Sequence, residues 1–325
     1  MLEHGGRIQQ AAQRYGIPQE DWLDLSTGIN PLGWPVPPLP PACWQRLPEP
    51  DDGLVEAASR YYGCNSLLVV AGSQAAIQAL PSLRLPCRVG LLAPTYAEHA
   101  QAWARNGHRV AQFPLTEIEA MLDQLDVLVL VNPNNPTGQR VSAEMLRAWQ
   151  HRLATRGGWL VVDEAFMDAT PEHSLAPQVG AEGLVVLRSL GKFFGLAGAR
   201  VGFVLAWPEL LVLLSEALGP WTVAHPARHA ARLALADATW QALARQRLLR
   251  DSARLAELLA NHALPLVGGT ALFQQVECER ALSVQNKLAQ MGILVRRFDA
   301  PPSLRFGLPG EEGEWQRLEA ALKEI

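Results

Sequence analysis

The sequence predicts an α/β protein: a large, mixed but mostly parallel sheet domain followed by a smaller α+β domain at the C-terminus. Three observations lead there. From residue 53 onward, short apolar runs of strand character alternate with helical stretches, the mark of strand-helix-strand units. Three polar motifs end successive apolar runs, and their residues Asn135, Asp163 and Lys192 lie 28 and 29 positions apart (163 − 135 and 192 − 163). One strand-helix-strand unit takes about 30 residues, so these side chains fall on one rim of the sheet. Finally, 325 residues of which 49% are hydrophobic and 18% charged bury a core fit for one big domain or two unequal ones, which excludes disorder.

In chain order, residues 3–15 suit a short helix and Trp22 to Leu25 an extended piece. Eight prolines between Pro31 and Pro50 deny that stretch both helix and central strand, so it reads as a covering arm that crosses onto a partner subunit. The expected division is an arm and substrate-covering segment over 1–45, a large domain over 46–218 and a small domain over 219–325. Helix is expected over Leu54–Tyr62, Ser73–Leu83 (with Ser73 as N-cap), Ala97–Arg105, Glu117–Gln124, Ala143–Ala154 and Glu209–Ala217. Strands are expected over Leu67–Val70, Arg88–Leu92, Arg109–Phe113, Asp126–Val131, Trp159–Val162, Gly183–Leu187 and Val201–Ala206. Past the break at Gly219-Pro220, helical sequence from Pro226 to His262 leads to strands at Leu272–Val276, Ile293–Arg297 and Ser303–Gly307, with helices Leu282–Met291 and Glu312–Glu324.

The chemistry concentrates after the strands. The stretch Leu187 to Gly202 holds Lys192 three residues past Ser189 and eight before Arg200. An amine in a dry pocket gives up its proton more readily than its free pKa of about 10.4 suggests, and then attacks a carbonyl to form a Schiff base. Ser189 and Arg200 supply donors for a phosphate beside that amine. Ser189 and Lys192 also read as the S-x-x-K of an acyl-serine enzyme, but the S-D-N and K-T-G elements such an enzyme needs are absent from the sequence. Ala71-Gly72-Ser73-Gln74, where a strand runs into a helix, is either an ordinary turn or a second set of phosphate donors. Tyr96 after its strand either packs or stacks on a flat ligand ring. The loop Asn132-Pro133-Asn134-Asn135-Pro136-Thr137-Gly138 is rigid. Asp163, an acid directly after an apolar strand, needs a cationic partner, which is either a structural arginine or a ligand. An amide, an acid and a lysine on one rim suit a cationic aromatic nitrogen heterocycle bearing an aldehyde.

Composition narrows the partners. A net charge of -4 offers no broad basic surface for nucleic acid. Cys43, Cys64, Cys87 and Cys278 form no C-x-x-C pair, which favours free thiols in a reducing cytoplasm over disulfides or a metal site. Neither a signal peptide nor an apolar run of about 20 residues is present, so no membrane partner is expected.

Asn132 to Gly138, Asp163-Glu164-Ala165-Phe166 and Ser189-Leu190-Gly191-Lys192 with Arg200 together resemble the fold-type-I pyridoxal-phosphate enzymes of the aminotransferase class I branch. The resemblance covers most of the chain and implies pyridoxal 5'-phosphate as cofactor. It implies that Lys192 bonds the cofactor aldehyde, Asp163 pairs with the ring nitrogen, Asn135 with the ring hydroxyl oxygen, and Tyr96 stacks. Ser73, Gln74, Ser189 and Arg200 would hold the phosphate, and Arg305 the substrate carboxylate. His4-Gly5-Gly6 and Ile29-Asn30-Pro31-Leu32-Gly33 narrow the resemblance to the threonine-phosphate decarboxylases of cobalamin biosynthesis, neighbours of the histidinol-phosphate aminotransferases. That implies His4, Asn30, Asn135, Arg296 and Arg305 at the substrate, a cytoplasmic homodimer, and a small phosphorylated amino acid as partner. The alternative is an aminotransferase acting on a phosphorylated or aromatic amine. Three positions depart from the pattern: Phe166 replaces a common tyrosine, Leu47 replaces a tyrosine that reaches across the dimer, and the Ser73-Gln74 pair lacks a common acid.

Overall fold

The computed structural model describes residues 4–325, and the chain divides into two compact units. One comprises the chain up to Gly33, Pro136–Gln139 and Leu243–Ile325; the other comprises Trp34–Asn135 and Arg140–Ala242.

The chain opens with α1 (Ile8–Tyr15), β1 (Leu23–Asp24) and the one-turn α2 (Ala42–Gln45), the only helix within the proline-dense stretch. Then come α3 (Leu54–Tyr62), β2 (Leu67–Val70), α4 (Ser73–Ala79), β3 (Arg88–Leu92), α5 (Ala97–Arg105), β4 (Arg109–Phe113) and α6 (Leu115–Met121). After these follow β5 (Val127–Val131), α7 (Ala143–Ala154), β6 (Trp159–Asp163), β7 (Leu184–Ser189), β8 (Gly202–Leu205), α8 (Pro208–Leu218) and α9 (His225–Ala236). The division falls inside α10 (Ala238–Ala260), and β9 (Leu266–Thr270), β10 (Phe273–Glu277), α11 (Ala281–Gln290), β11 (Ile293–Leu294), β12 (Arg296–Asp299), β13 (Pro302–Gly307) and α12 (Glu312–Leu322) complete the chain.

The larger unit is built on a seven-stranded sheet in the order β2-β8-β7-β6-β5-β3-β4. Only β8 runs against the others. Every residue of β5 and β6 is buried, as expected for strands covered on both faces, which is why both read as unbroken apolar runs. Val127, Val129, Val161, Val185 and Leu187 pack with Ile77, Trp103 and Leu210 from the helices into one core. Each such aliphatic side chain, fully buried, contributes about 1.5–3 kcal/mol.

The other unit carries the antiparallel sheet β12-β13-β10-β9 and the parallel pair β1-β11. The expected single strand Ile293–Arg297 splits here. Ile293 pairs with Leu23 of β1, whereas Arg296 pairs with Arg305 of β13. Strand β9 was not expected, because Gly268 and Gly269 weaken its apolar signal. A Cβ on Gly268 would run into the Thr137 carbonyl, and one on Gly269 into the Gln274 side chain, so close backbone approach accounts for both glycines.

Two helix expectations are also refined. The stretch Ser73–Leu83 breaks into α4 and a 3-10 turn over Leu80–Leu83, where Pro81 has no N–H to continue the α-helix. Gly72, with φ 72° and ψ 158°, takes the cap position expected for Ser73, which becomes the first helical residue.

Candidate active site

The parallel strands β5, β6 and β7 are aligned with Val131 opposite Asp163 and Asp163 opposite Leu187, so their C-terminal ends form one edge. In open α/β sheets ligands sit at that edge. Ser73, Gln74, Tyr96, Asn135, Asp163, Ser189, Lys192 and Arg200 all line a single cavity of about 170 Å³ there. The equal spacing of the three motifs thus has a geometric origin: each motif follows a parallel strand of similar length.

Asp163 is the electrostatic anchor. Its Oδ1 accepts the Ala165 N–H at 3.0 Å, and its Oδ2 lies 3.0 Å from His99 Nε2, with both side chains at most 5% exposed. A carboxylate offers no proton, so His99 Nε2 is the donor. Two fixed donors hold the acid at the strand end and keep its charge available to the cavity it lines.

Elsewhere in the cavity lining, donors gather for an anion. Arg200 sits in the left-handed region at φ 53°, and its Nη1 donates to the Ala197 carbonyl at 3.2 Å. For a residue with a Cβ that conformation costs about 1–2 kcal/mol. The surroundings enforce it by closeness. A Cβ on Gly72 would stand 2.7 Å from Arg200 Nη2, and one on Gly202 would stand 2.6 Å from Ser73 N. The guanidinium, the first N–H groups of α4 and the Ser189 hydroxyl line the same cavity, with the two glycines letting Arg200 and the Ser73 N–H come close, and together they offer donors to an oxyanion.

Lys192 is half-buried, three residues past the end of β7, with Nζ 5.3 Å from the centre of the buried Phe166 ring. Tyr96 donates from its hydroxyl to Gln74 Oε1 at 3.2 Å. Burial, then the Glu98 and Asp163 carboxylates, push its pKa up to about 12 against the opposing pull of Arg200, so the phenol stays neutral at physiological pH. The arrangement suits a flat, cationic ring against Tyr96 with its charge toward Asp163, an electrophilic carbon toward Lys192 and an anionic group toward Arg200.

The other expected residues belong to the smaller unit. His4 and Arg296 line a second cavity of about 220 Å³ together with Arg7, Arg14 and Arg297. Arg305 is buried directly across the ladder from Arg296, and its Nη2 donates to the Ser26 carbonyl at 2.5 Å. Burial, and next the neighbouring Arg296 cation, bring its pKa down to about 10 against the opposing pull of Asp24. Asn30 is buried, with Oδ1 accepting from Leu32 N at 3.1 Å and from Arg247 Nη2 at 2.8 Å.

Two residues that hold cavity-lining side chains escaped the sequence reading, His99 and Glu98. Both stand in the first turn of α5, immediately after Tyr96. An acid and a histidine at a helix start behind a strand-end aromatic was the available signal.

A lysine, an acid, an anion cup and an aromatic face at the carboxyl edge of a mostly parallel sheet define a class. The chain belongs to the aminotransferase class I and II family, whose model matches residues 46–322. Within that family it is 56% identical to a threonine-phosphate decarboxylase of Pseudomonas aeruginosa over 99% of this chain and 97% of the relative. It is 42% identical to a threonine-phosphate decarboxylase of a Sinorhizobium species over 99% of this chain and 97% of that one. A histidinol-phosphate aminotransferase of Aeromonas hydrophila is 29% identical over 97% and 94%. Among solved structures, the histidinol-phosphate aminotransferase of Sinorhizobium meliloti in complex with pyridoxal-5'-phosphate superposes with a TM-score of 0.83 at 21% identity, covering 99% of this chain and 95% of that one. The L-threonine-O-3-phosphate decarboxylase of Porphyromonas gingivalis gives 0.77 at 20% identity, over 92% and 98%. At these identities the superpositions speak for the fold.

Proposed function

We propose that the chain decarboxylates L-threonine phosphate to aminopropanol phosphate with pyridoxal 5'-phosphate as cofactor, a step of cobalamin biosynthesis. The observation that carries this reading is the 56% identity, through nearly the whole of both chains, with a threonine-phosphate decarboxylase.

The residues present fit that cofactor. Its phosphate suits the donors of Arg200, Ser73 and Ser189, which Gly72 and Gly202 let approach closely, and its ring nitrogen suits the buried acid. Lys192, Asp163, Asn135, Tyr96, Ser73, Gln74, Ser189 and Arg200 would hold it. Bound there, it supplies a conjugated cationic ring that takes up the electron pair left when a bond to the substrate's α-carbon breaks.

Asp163, fixed by His99 and the Ala165 N–H, would keep the ring nitrogen protonated and so preserve the ring's pull on electrons. Lys192 Nζ carries the proton that replaces the lost carboxylate. His4, Asn30, Arg296 and Arg305 grip the substrate's phosphate and carboxylate in this reading; the neighbouring guanidinium groups of Arg296 and Arg305 carry positive charge that suits such an anion. That grip would decide the reaction by fixing which bond to the substrate's α-carbon is presented for cleavage. A homodimer goes with the same reading: the proline-dense arm presents Trp44 and Leu47, 71% and 62% exposed, as apolar area that a second copy would cover. A cytoplasmic location accords with four cysteines outside any disulfide.

The test is incubation of the purified, cofactor-loaded protein with L-threonine phosphate and no keto acid. Carbon dioxide released in step with aminopropanol phosphate is the expected result. A strict requirement for a keto acid, with amino transfer in place of gas release, sinks the decarboxylase in favour of the aminotransferase.

A further inference from the structure

The acid Glu98 is 9% exposed and, unlike Asp163, does not line the cavity. Its Oε2 accepts from Gln74 Nε2 at 3.0 Å and from Gln78 Nε2 at 3.1 Å, two amides one turn apart on α4. Gln74 Oε1 in turn accepts the Tyr96 hydroxyl at 3.2 Å. The order of these bonds is dictated chemically. A carboxylate only accepts, so both amides must present nitrogen to it. The Gln74 carbonyl oxygen is thereby turned to Tyr96, and the phenol, finding an acceptor, must donate. Glu98 stands in the first turn of α5, where the helix N-terminus favours a negative charge. The following residue, His99, donates to Asp163, so a single helical turn addresses two different walls of the cavity.

From this we propose that Glu98 is a positioning residue for the reaction: it fixes the orientation of the Gln74 amide and, through it, the Tyr96 ring against the cofactor. The inference rests on the pyridoxal-phosphate reading of the site. Its special feature is directionality. With an amide at position 98, either end of Gln74 can face it, and Tyr96 loses its assured acceptor.

Titration of the apo-protein with pyridoxal phosphate, followed by visible absorbance, tests this in the wild type, E98Q and the transposed double variant E98Q/Q74E. Melting temperatures and separate kcat and KM values are measured on each. In the double variant the carboxylate at position 74 accepts from both Tyr96 and the amide at 98, so the directionality returns with the charge moved. We expect E98Q to weaken cofactor binding about fivefold, the worth of roughly one hydrogen bond, to lower kcat more than it raises KM, and to keep its melting temperature. The double variant should recover most of the loss. Wild-type binding in E98Q overturns the proposal, as does a loss that the transposition fails to reverse. A loss accompanied by a matching fall in melting temperature also overturns it, since Glu98 then serves the fold alone. A wild-type protein that develops no absorbance with the cofactor overturns the site reading itself, before any variant is compared.

Discussion

Asp163 and Glu164 are neighbours in sequence with opposite fates. Asp163 lines the cavity, held by one imidazole and one backbone N–H. Glu164 turns into the interior, where Arg188 Nη1 reaches its Oε2 at 2.5 Å and Leu175 N donates to its Oε1 at 2.8 Å. Arg188 Nη2 binds Asp168 Oδ1, also at 2.5 Å, and its guanidinium lies over the Tyr62 ring; the charged side chains are 0–1% exposed. The strand next door repeats the division, since Ser189 lines the cavity while Arg188 beside it is buried. Alternation along a strand explains the geometry, and the electrostatics explain the outcome. Burial drives the Glu164 carboxyl above its usual range even against Arg188, while the Asp168 and Glu164 carboxylates outweigh burial and hold the arginine charged. One face is a set of charges paired with one another within the fold, with Arg188 Nε left without a hydrogen-bond partner among the described residues. The other keeps its charge facing an open space, which is the condition for engaging a ligand.

Breaking the paired set should have the largest effect. Arg188→Met leaves two buried carboxylates without their shared cation and should cost about 3–5 kcal/mol of stability, read as a lowered denaturation midpoint; an unchanged midpoint would mean the triad is not structural. On the open face, Asp163→Asn keeps one acceptor oxygen, turns an amide N–H2 toward the second donor and removes the charge. It should lower kcat by about 10²- to 10³-fold, the scale of losing one preorganised electrostatic partner, with little change in melting temperature, and a rate within a few fold of wild type would deny Asp163 its role.

The same exchange one residue on, Glu164→Gln, should have the smallest effect and a different signature. Because the folded-state pKa of Glu164 is raised, its protonated form favours folding. That contribution is fully present below the ordinary carboxylate range and is lost as pH rises through the raised value. Melting temperature followed from acid to neutral pH should fall through that window in the wild type and flatten in the variant. Parallel curves would contradict the shift.

What the sequence disclosed and what it withheld divide along the same physical line. Asn135, Asp163, Ser189 and Lys192 were legible because parallel strands impose a repeat on whatever follows them. Val127–Val131 and Trp159–Val162 were legible because burial on both faces leaves no polar residue to blur them. His99 meets Asp163 across 64 positions and Glu98 meets Gln74 across 24, separations that no local pattern encodes. Asp163 was weighed against pairing with a structural arginine; such an arginine exists, but its partners are Glu164 and Asp168. Strand β9 stayed hidden because its glycines answer to the backbones they touch, not to a pleated surface.

The position of β2 has a consequence for the order in which the protein can be made. It lies at the margin of the seven-stranded sheet, and β8 is its sole neighbour there. Ser73 and Gln74 follow directly on β2, yet their strand has nothing to pair with until Gly202–Leu205 has left the ribosome. The cup assembled from residues 72, 73, 189, 200 and 202 is thus completed in a single late step of synthesis. A nascent chain cut short of Gly202 would lack the finished cup proposed for the cofactor phosphate.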